Sequence, residues 1–253
     1  MEPWQYDTAD DLDQTPIERL RKFPRRPEMF VFGLRLGAAA LIRLWLRLYH
    51  RLTVVGAENL PPSGSFVIAA NHASHLDALS IVSALPIGKV HRVFPAAAKD
   101  YFFVSLPRLA LAAIVINALP FDRRRSIRRS LTLCHDLLAQ SDNVLVLFPE
   151  GTRSAAGEIG PFKPGIGLLL AGTPHPAVPC YLAGTHDAWP KGAWLPRPKK
   201  VRVTFGRPLV FSDRERGKQA AVQIADQLRQ AILALAESRR EADNKGKRSG
   251  PLQ

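Results

Sequence analysis

The sequence predicts an α/β fold: a largely parallel mixed sheet flanked by helices, preceded by an N-terminal amphipathic helix. Three observations predict it. From about residue 51 onward, short apolar runs of strand length recur between Gly, Pro, Asn and Asp residues, and stretches of helical period lie among them. Alternation of this kind is the mark of a parallel sheet, because each parallel pair needs a crossover connection. The chain has 253 residues with 46 % hydrophobic content, enough for one well-buried domain.

The elements follow in order. Residues 1–27 are polar, charged and punctuated by proline, and read as a loose arm. Residues 28–51 are the most apolar N-terminal stretch, interrupted by Arg35, Arg43, Arg47 and Arg51. A spanning helix wants roughly 20 mostly apolar residues, and no uncharged run here approaches that. The arginines fall on one helical stripe, surrounded by Leu34, Leu41, Leu44, Trp45 and Leu48. This pattern predicts an amphipathic helix lying in a membrane interface, its arginines snorkelling to anionic headgroups.

Strands are expected at 52–55, 66–70, 90–97, 144–148, 177–182 and 201–205, with a further apolar, β-rich run at 114–119. Helices are expected at 77–85, ended by Pro86, and at 99–111, bent or broken at Pro107. Further helices are expected at 126–139, at 166–171 after a Pro-Gly pair, and at 218–237, with Val222, Ala225, Leu228, Ile232 and Leu235 on one face. The main domain is then 52–238, and the charged residues 239–253 read as a disordered tail.

Charge narrows the partners. Lys and Arg number 35 against 22 Asp and Glu, a net charge of +13. That excess implies an anionic partner: nucleic acid, anionic lipid or a phosphorylated substrate. No nucleic-acid module, and no aromatic–basic interleaving on a sheet, is present to favour the first. The two cysteines, Cys134 and Cys180, lie far apart in apolar surroundings. They form neither a disulfide framework nor a zinc pattern, which fits a reducing compartment. The first 13 residues are acidic and lack an apolar core, the wrong order for a secretory signal.

Four segments carry candidate chemistry. In NHASHLD, residues 71–77, a strand ends in Asn71 and His72, and Asp77 follows near a helix start. A histidine there suits a general base, and a carboxylate one turn away suits holding its ring and tautomer. The plainer alternatives are a helix-capping Asp77 and a core His72. His72, His75 and Asp77 also resemble metal-ligand spacing, but a further ligand cluster is missing, so no metal is expected. In LFPEGTRS, residues 147–154, Gly151, Thr152 and Arg153 offer an anion amides, a hydroxyl and a guanidinium, with Glu150 placed to orient the arginine. In LPFDRRRS, Arg123 is a second phosphate candidate, and in PFKPGIG, Lys163 precedes a helix start. Finally, Val178 and Pro179 end a strand near the same rim. Further on, Trp189, Lys191, Trp194 and Arg197 mix aromatic and basic side chains, as interfacial anchors or as a packed loop.

With these blocks in this order, the sequence resembles the glycerolipid acyltransferase family, which includes 1-acylglycerol-3-phosphate acyltransferases. NHASHLD, NALPFDR, FPEGTRS and AVPCYLAGT match its four blocks, and the likeness covers roughly residues 51–211. The resemblance implies His72 as general base and Asp77 as its orienting partner. It implies that Arg123, Gly151 and Arg153 hold the acceptor's phosphate, with Glu150 and Thr152 in the same loop and Lys163 at a following basic position. Pro179 falls on the acyl side of the family's architecture. The implied reaction moves an acyl group from acyl-CoA or an acyl carrier protein thioester to 1-acylglycerol-3-phosphate, giving phosphatidic acid. No cofactor beyond that thioester is implied. Partners would be the lipid substrate, an anionic membrane surface and, for one donor, the carrier protein. The location would be the cytoplasmic face of the cell membrane, peripheral or monotopic. Another lyso acceptor, such as lyso-ornithine lipid or a lysophospholipid, or a non-catalytic lipid-binding role, remain alternatives. One departure bears on the acceptor: Asn117 stands where the second block often begins with glycine.

Overall fold

The computed structural model describes residues 29–98, 117–121, 127–154 and 156–248. Its first element is helix α1, Met29–Tyr49, followed by strand β1, Thr53–Val55, and strand β2, Phe66–Ala70. Helix α2, Leu76–Ala84, leads through a 3-10 turn to β3, Val93–Ala98. Then come β4, Leu119–Phe121, helix α3, Ile127–Ala139, and β5, Val144–Leu147. The rest is α4, Gly165–Leu170, β6, Ala177–Ala183, the short α5, Thr185–Ala188, β7, Arg202–Phe205, and α6, Lys218–Arg248.

The strands form one seven-stranded sheet in the order β1-β7-β6-β2-β5-β3-β4. Every neighbouring pair is parallel except β6 and β7. The expected mixed, largely parallel sheet is therefore what forms. Central β2 is buried at all five positions, as a strand covered on both faces must be. Its side chains alternate between two cores. Val67 and Ala69 face the layer of α3, α4 and α6, among Cys134, Leu138, Ile166, Leu170 and Leu228. Phe66, Ile68 and Ala70 face the other layer, among Ile81, Leu85 and Phe205. Each large side chain fully buried in this way contributes about 1.5–3 kcal/mol.

Four expectations need correction. Residues 87–92 form a 3-10 helix rather than the start of a strand, because Pro86 and Gly88 set a turn ahead of Val93. Helix α6 continues to Arg248, so residues 239–248 are helical and not a disordered tail. A helix already nucleated and packed adds a further residue at little cost, and Arg, Glu and Ala favour it. On α6 itself, Val222 turns outward, 51 % exposed, while Ala221 and Ile224 take the inner positions. The helix is rotated so that one of its alanines meets Gly167 of α4, where any Cβ would overlap the Ala221 backbone.

The fourth correction concerns α1. Its arginine stripe is divided: Arg35 and Arg43 turn inward, while Arg47 and Arg51 stay exposed. Arg35 is 7 % exposed, and burial pushes its guanidinium down to about 10. Arg43 donates from Nε to Ser83 O at 2.8 Å and from Nη2 to Leu85 O. It thereby satisfies carbonyls at the C-terminal end of α2, where a cation is favoured. Ile42, Trp45 and Leu46 pack beneath the helix with Leu76, Ala188 and Val201. Leu34, Leu41, Leu44 and Leu48 are left on the outer face, between 45 % and 72 % exposed. The free α2 carbonyls thus take Arg43 out of the stripe. Among the described residues no helix is long and apolar enough to cross a membrane. The arm 1–27, the helix expected at 99–111 and the start of the run at 114–119 lie outside the described residues.

Candidate active site

The site forms at the carboxyl ends of β2 and β5, where parallel sheets gather ligands. Asn71 clamps the end of β2 onto β6: its amide donates to Leu182 O at 3.1 Å and its oxygen accepts Leu182 N–H at 2.8 Å. The next residue is His72. Its Nδ1 lies 2.8 Å from Asp77 Oδ2. The same oxygen accepts the backbone N–H of Ala73 at 2.7 Å and of Ser74 at 2.8 Å. Asp77 is fully buried, whereas the His72 side chain keeps 18 % exposure. A carboxylate oxygen facing Nδ1 accepts a hydrogen bond from the N–H there, which leaves the lone pair on Nε2. The ring's face is held as well, stacked on Phe148 with centroids 4.1 Å apart and planes 20° apart. The His72 ring is thus fixed at its edge by Asp77 and on its face by Phe148.

The 147–154 loop is knit to His72 through the backbone. Glu150 Oε1 accepts the His72 N–H at 2.8 Å, and His72 O accepts the Ser154 N–H at 2.8 Å. Glu150 Oε2 accepts the Gly160 N–H at 3.1 Å. Burial pushes the Glu150 carboxyl upward, and the two N–H donors pull the other way. Both of its oxygens are thus occupied by backbone. Its expected part as the orienter of Arg153 falls instead to His75, whose Nε2 accepts from the Arg153 guanidinium. Burial first, then Arg153 and His72, lower the His75 imidazole; Asp77 opposes them. His75 is therefore the neutral acceptor of this pair.

The remaining predicted residues sort as follows. Gly151 adopts φ 75°, a conformation glycine takes freely. A Cβ there would lie 2.8 Å from Lys163 Nζ, so the absence of a side chain is what lets the lysine reach over the loop. The Lys163 backbone N–H donates to Pro149 O at 2.9 Å. Thr152 is exposed in the same loop. Pro179 is buried in β6 opposite Ala69, and its carbonyl accepts the Gly206 N–H at 2.8 Å; its part is in the sheet. Asn117 adopts φ 53° and donates to His91 O at 3.0 Å, so asparagine serves where glycine often stands. Arg123 lies outside the described residues. Among the described residues no cluster of three or more His, Cys, Asp or Glu could hold a metal ion.

Sequence reasoning missed three residues. Phe148 was read only as strand. His75 was weighed only as a metal ligand, although its place inside the first block was a usable signal. Arg229 of α6 donates to Gly160 O at 3.0 Å and Ile159 O at 3.3 Å. It braces the strand of chain that holds Glu150, and no local pattern marks it.

A cavity of about 290 Å³ opens beside this centre, near the lower end of small-ligand pockets. Leu131, Cys134, Leu147, Ile166 and Leu169 line it, with Gly151 and Lys163 at one end. Phe148 belongs to both its wall and the His72 stack. Burial pushes the Cys134 thiol up to about 12, so it acts as an apolar lining group.

The model of the family described as Acyltransferase matches residues 51–183. This chain belongs to the acyltransferase family. It is 32 % identical over 180 residues to the chloroplastic 1-acyl-sn-glycerol-3-phosphate acyltransferase BAT2 of Brassica napus, covering 68 % of this chain and 50 % of that one. It is 34 % identical over 162 residues to the human 1-acyl-sn-glycerol-3-phosphate acyltransferase alpha, covering 62 % and 52 %. The chain spans about half the length of the curated relatives it matches. In fold it is similar to the 1-acyl-sn-glycerophosphate acyltransferase PlsC of Thermotoga maritima, with a TM-score of 0.60, 21 % identity, and coverage of 81 % of this chain and 79 % of that one. The family match contains every predicted site residue, from His72 to Pro179.

Proposed function

We propose that the protein is an O-acyltransferase that moves a fatty acyl group from a thioester, acyl-CoA or acyl carrier protein, to the free hydroxyl of 1-acylglycerol-3-phosphate. The observation that carries this reading is the His72 ring, fixed at its edge by Asp77 and on its face by Phe148, beside two cationic side chains and an apolar cavity. The names of the relatives support the same acceptor.

The step balances as follows. His72 Nε2 removes the proton of the acceptor hydroxyl as its oxygen attacks the thioester carbonyl carbon. A new C–O bond forms and a tetrahedral oxyanion develops. The oxyanion collapses, the C–S bond breaks, and the thiolate takes the proton from the imidazolium. Products are phosphatidic acid and the free thiol. Asp77 stabilises the transient imidazolium. Arg153 and Lys163 attract the acceptor phosphate, the arginine through its planar fork. Arg123 carries the same role in this reading. The cavity behind Phe148 receives an acyl chain, whose burial is worth about 0.8 kcal/mol per CH₂. The reading is direct transfer without an acyl-enzyme, because the described residues offer the acyl group an oriented base and no oriented nucleophile.

The substrate is a membrane lipid, and the exposed leucine face of α1 supports a peripheral or monotopic position on the cytoplasmic, anionic leaflet. The test is a product assay on purified protein. It supplies acyl-CoA or acyl carrier protein thioester with a panel of lyso acceptors, and reads lipids by mass spectrometry. Phosphatidic acid from lysophosphatidic acid, lost in His72→Ala, is expected. Product only from lyso-ornithine lipid or another lysophospholipid would replace the acceptor; no acyl product at all would overturn the reading.

A further inference from the structure

The loop between α5 and β7 carries two apolar side chains that the domain does not use. Trp194 is 87 % exposed and Leu195 63 %. Large apolar groups this open, side by side, are uncommon on a surface that has no partner. The loop that presents them is held from both ends. At its start, Trp189 Nε1 donates to Ala193 O at 2.8 Å, and Ala193 N–H donates to Pro190 O at 3.2 Å. At its end, Arg197 N–H donates to Ala188 O at 2.7 Å. Tyr49 Oη then donates to Pro196 O at 3.2 Å, and Arg51 to Pro198 O at 3.2 Å. The last two bonds seat the loop against the C-terminal end of α1, next to the exposed Leu44 and Leu48. The loop that carries Trp194 and Leu195 thus adjoins the end of the helix that carries Leu44 and Leu48.

Charge completes the picture. Lys191, Arg197, Lys199 and Lys200 of the same segment are exposed, as are Arg47 and Arg51 where the loop meets α1. An apolar tip ringed by cations complements an anionic bilayer. Tryptophan prefers the headgroup level, where its ring is buried and its edge remains wet, and lysine and arginine stay with the phosphates. A tip already held by hydrogen bonds loses little freedom on insertion.

We propose that Trp194 and Leu195 form a membrane-inserting tip, a second contact with anionic bilayers beside α1. It builds on the membrane-lipid reading of the substrate. The tip has a consequence for the reaction. Its root is tied to the catalytic segment, since Ser74 Oγ donates to Trp189 O at 2.6 Å. A single helix on a membrane can roll about its own axis. Contact at the tip fixes that roll and sets the NHASHLD segment at the bilayer surface, where a lysolipid enters.

The test is vesicle binding by the full chain, read by sedimentation without substrate, so that it succeeds or fails independently of the product assay. Phosphatidylcholine vesicles carrying phosphatidylglycerol as a minority lipid are compared with pure phosphatidylcholine. The double variant Trp194→Ala, Leu195→Ala should bind the anionic vesicles about tenfold more weakly than wild type, with an unchanged melting curve, because neither side chain is packed. In vesicles of brominated lipid, wild-type fluorescence should be quenched and that of Trp194→Phe much less so. Wild-type binding by the double variant, equal quenching in Trp194→Phe, or no preference for the anionic vesicles would each overturn the inference. So would a wild-type dimer that the double variant abolishes, which would assign the tip to self-association.

Discussion

The carboxylate of Glu150 accepts the backbone N–H of His72 at 2.8 Å. Its other oxygen accepts the Gly160 N–H at 3.1 Å. Both partners are donors, so the site needs two acceptor atoms. Glutamine has only one, and its NH₂ must face one of the two N–H groups. Glu150→Gln should therefore lower kcat about tenfold to a hundredfold through displacement of His72, and lower stability by about 1–3 kcal/mol. Steady-state kinetics with a denaturant titration checks both. Unchanged kcat would mean that the Glu150 bond does not position the base.

Asp77 Oδ2 gathers three N–H groups: His72 Nδ1, Ala73 N and Ser74 N. An asparagine oxygen in the same place can accept all three, so Asp77→Asn keeps the turn and removes the charge. A residue that merely shaped the turn would tolerate this change. One that stabilises an imidazolium would not. The expectation is a loss in kcat of about a hundredfold or more at a nearly unchanged melting temperature. Wild-type turnover in the variant would reduce Asp77 to a structural part.

How much of this was legible in the sequence depends on the range over which each signal acts. The strands at 66–70 and 144–147 were legible because a strand covered on both faces must be apolar at every position. His72 and Asp77 were legible because five residues suffice to state their relation. The orientation of α1 was not: Arg43 is drawn inward by carbonyls of Ser83 and Leu85, about 40 residues away, and helical period alone does not say which stripe faces the protein. Glu150 was assigned to its sequence neighbour Arg153, whereas its partners are 78 and 10 residues distant. Arg229 is the extreme case, a polar residue of an amphipathic helix whose role exists only after the fold brings Gly160 to it.

His75 and Arg153 supply a pH dependence with a definite sign. Neutral His75 accepts from the Arg153 guanidinium. The charged groups facing it are Arg153, His72 and Asp77, and burial is the largest influence, lowering its affinity for a proton below the usual value of 6.5. Once pH falls through that lowered value, His75 no longer accepts from Arg153 and two cations face each other. KM for the phosphate-bearing acceptor should then rise in acid while KM for the thioester does not. His75→Phe should raise the acceptor KM about tenfold at all pH values and flatten that profile, with kcat largely kept. His75→Gln, which retains an acceptor, should restore much of the affinity. The same lowering by burial at His50, His75, His91 and His135 has a second effect. The unfolded chain takes up protons first as pH falls below about 6.5, so stability should decline from there downward.

Gly167 offers a test of the fold in which the sign decides. It lies inside α4, with a backbone conformation any residue can adopt. On helix propensity alone, Gly167→Ala should stabilise by about 1 kcal/mol. Packing predicts the opposite, because a Cβ there would overlap the carbonyl oxygen and Cα of Ala221 in α6. Those are backbone atoms and cannot swing aside, so the two helices must move apart, loosening Ile166, Leu170, Ile224 and Leu228 of the shared core. Overpacking of this kind costs about 1–3 kcal/mol. Thermal unfolding followed by circular dichroism should show a lower melting temperature for Gly167→Ala. Trimming Ala221 to glycine should not rescue it, since the clash is with the backbone and not with the alanine methyl. A higher melting temperature would mean that α4 and α6 do not touch at this point.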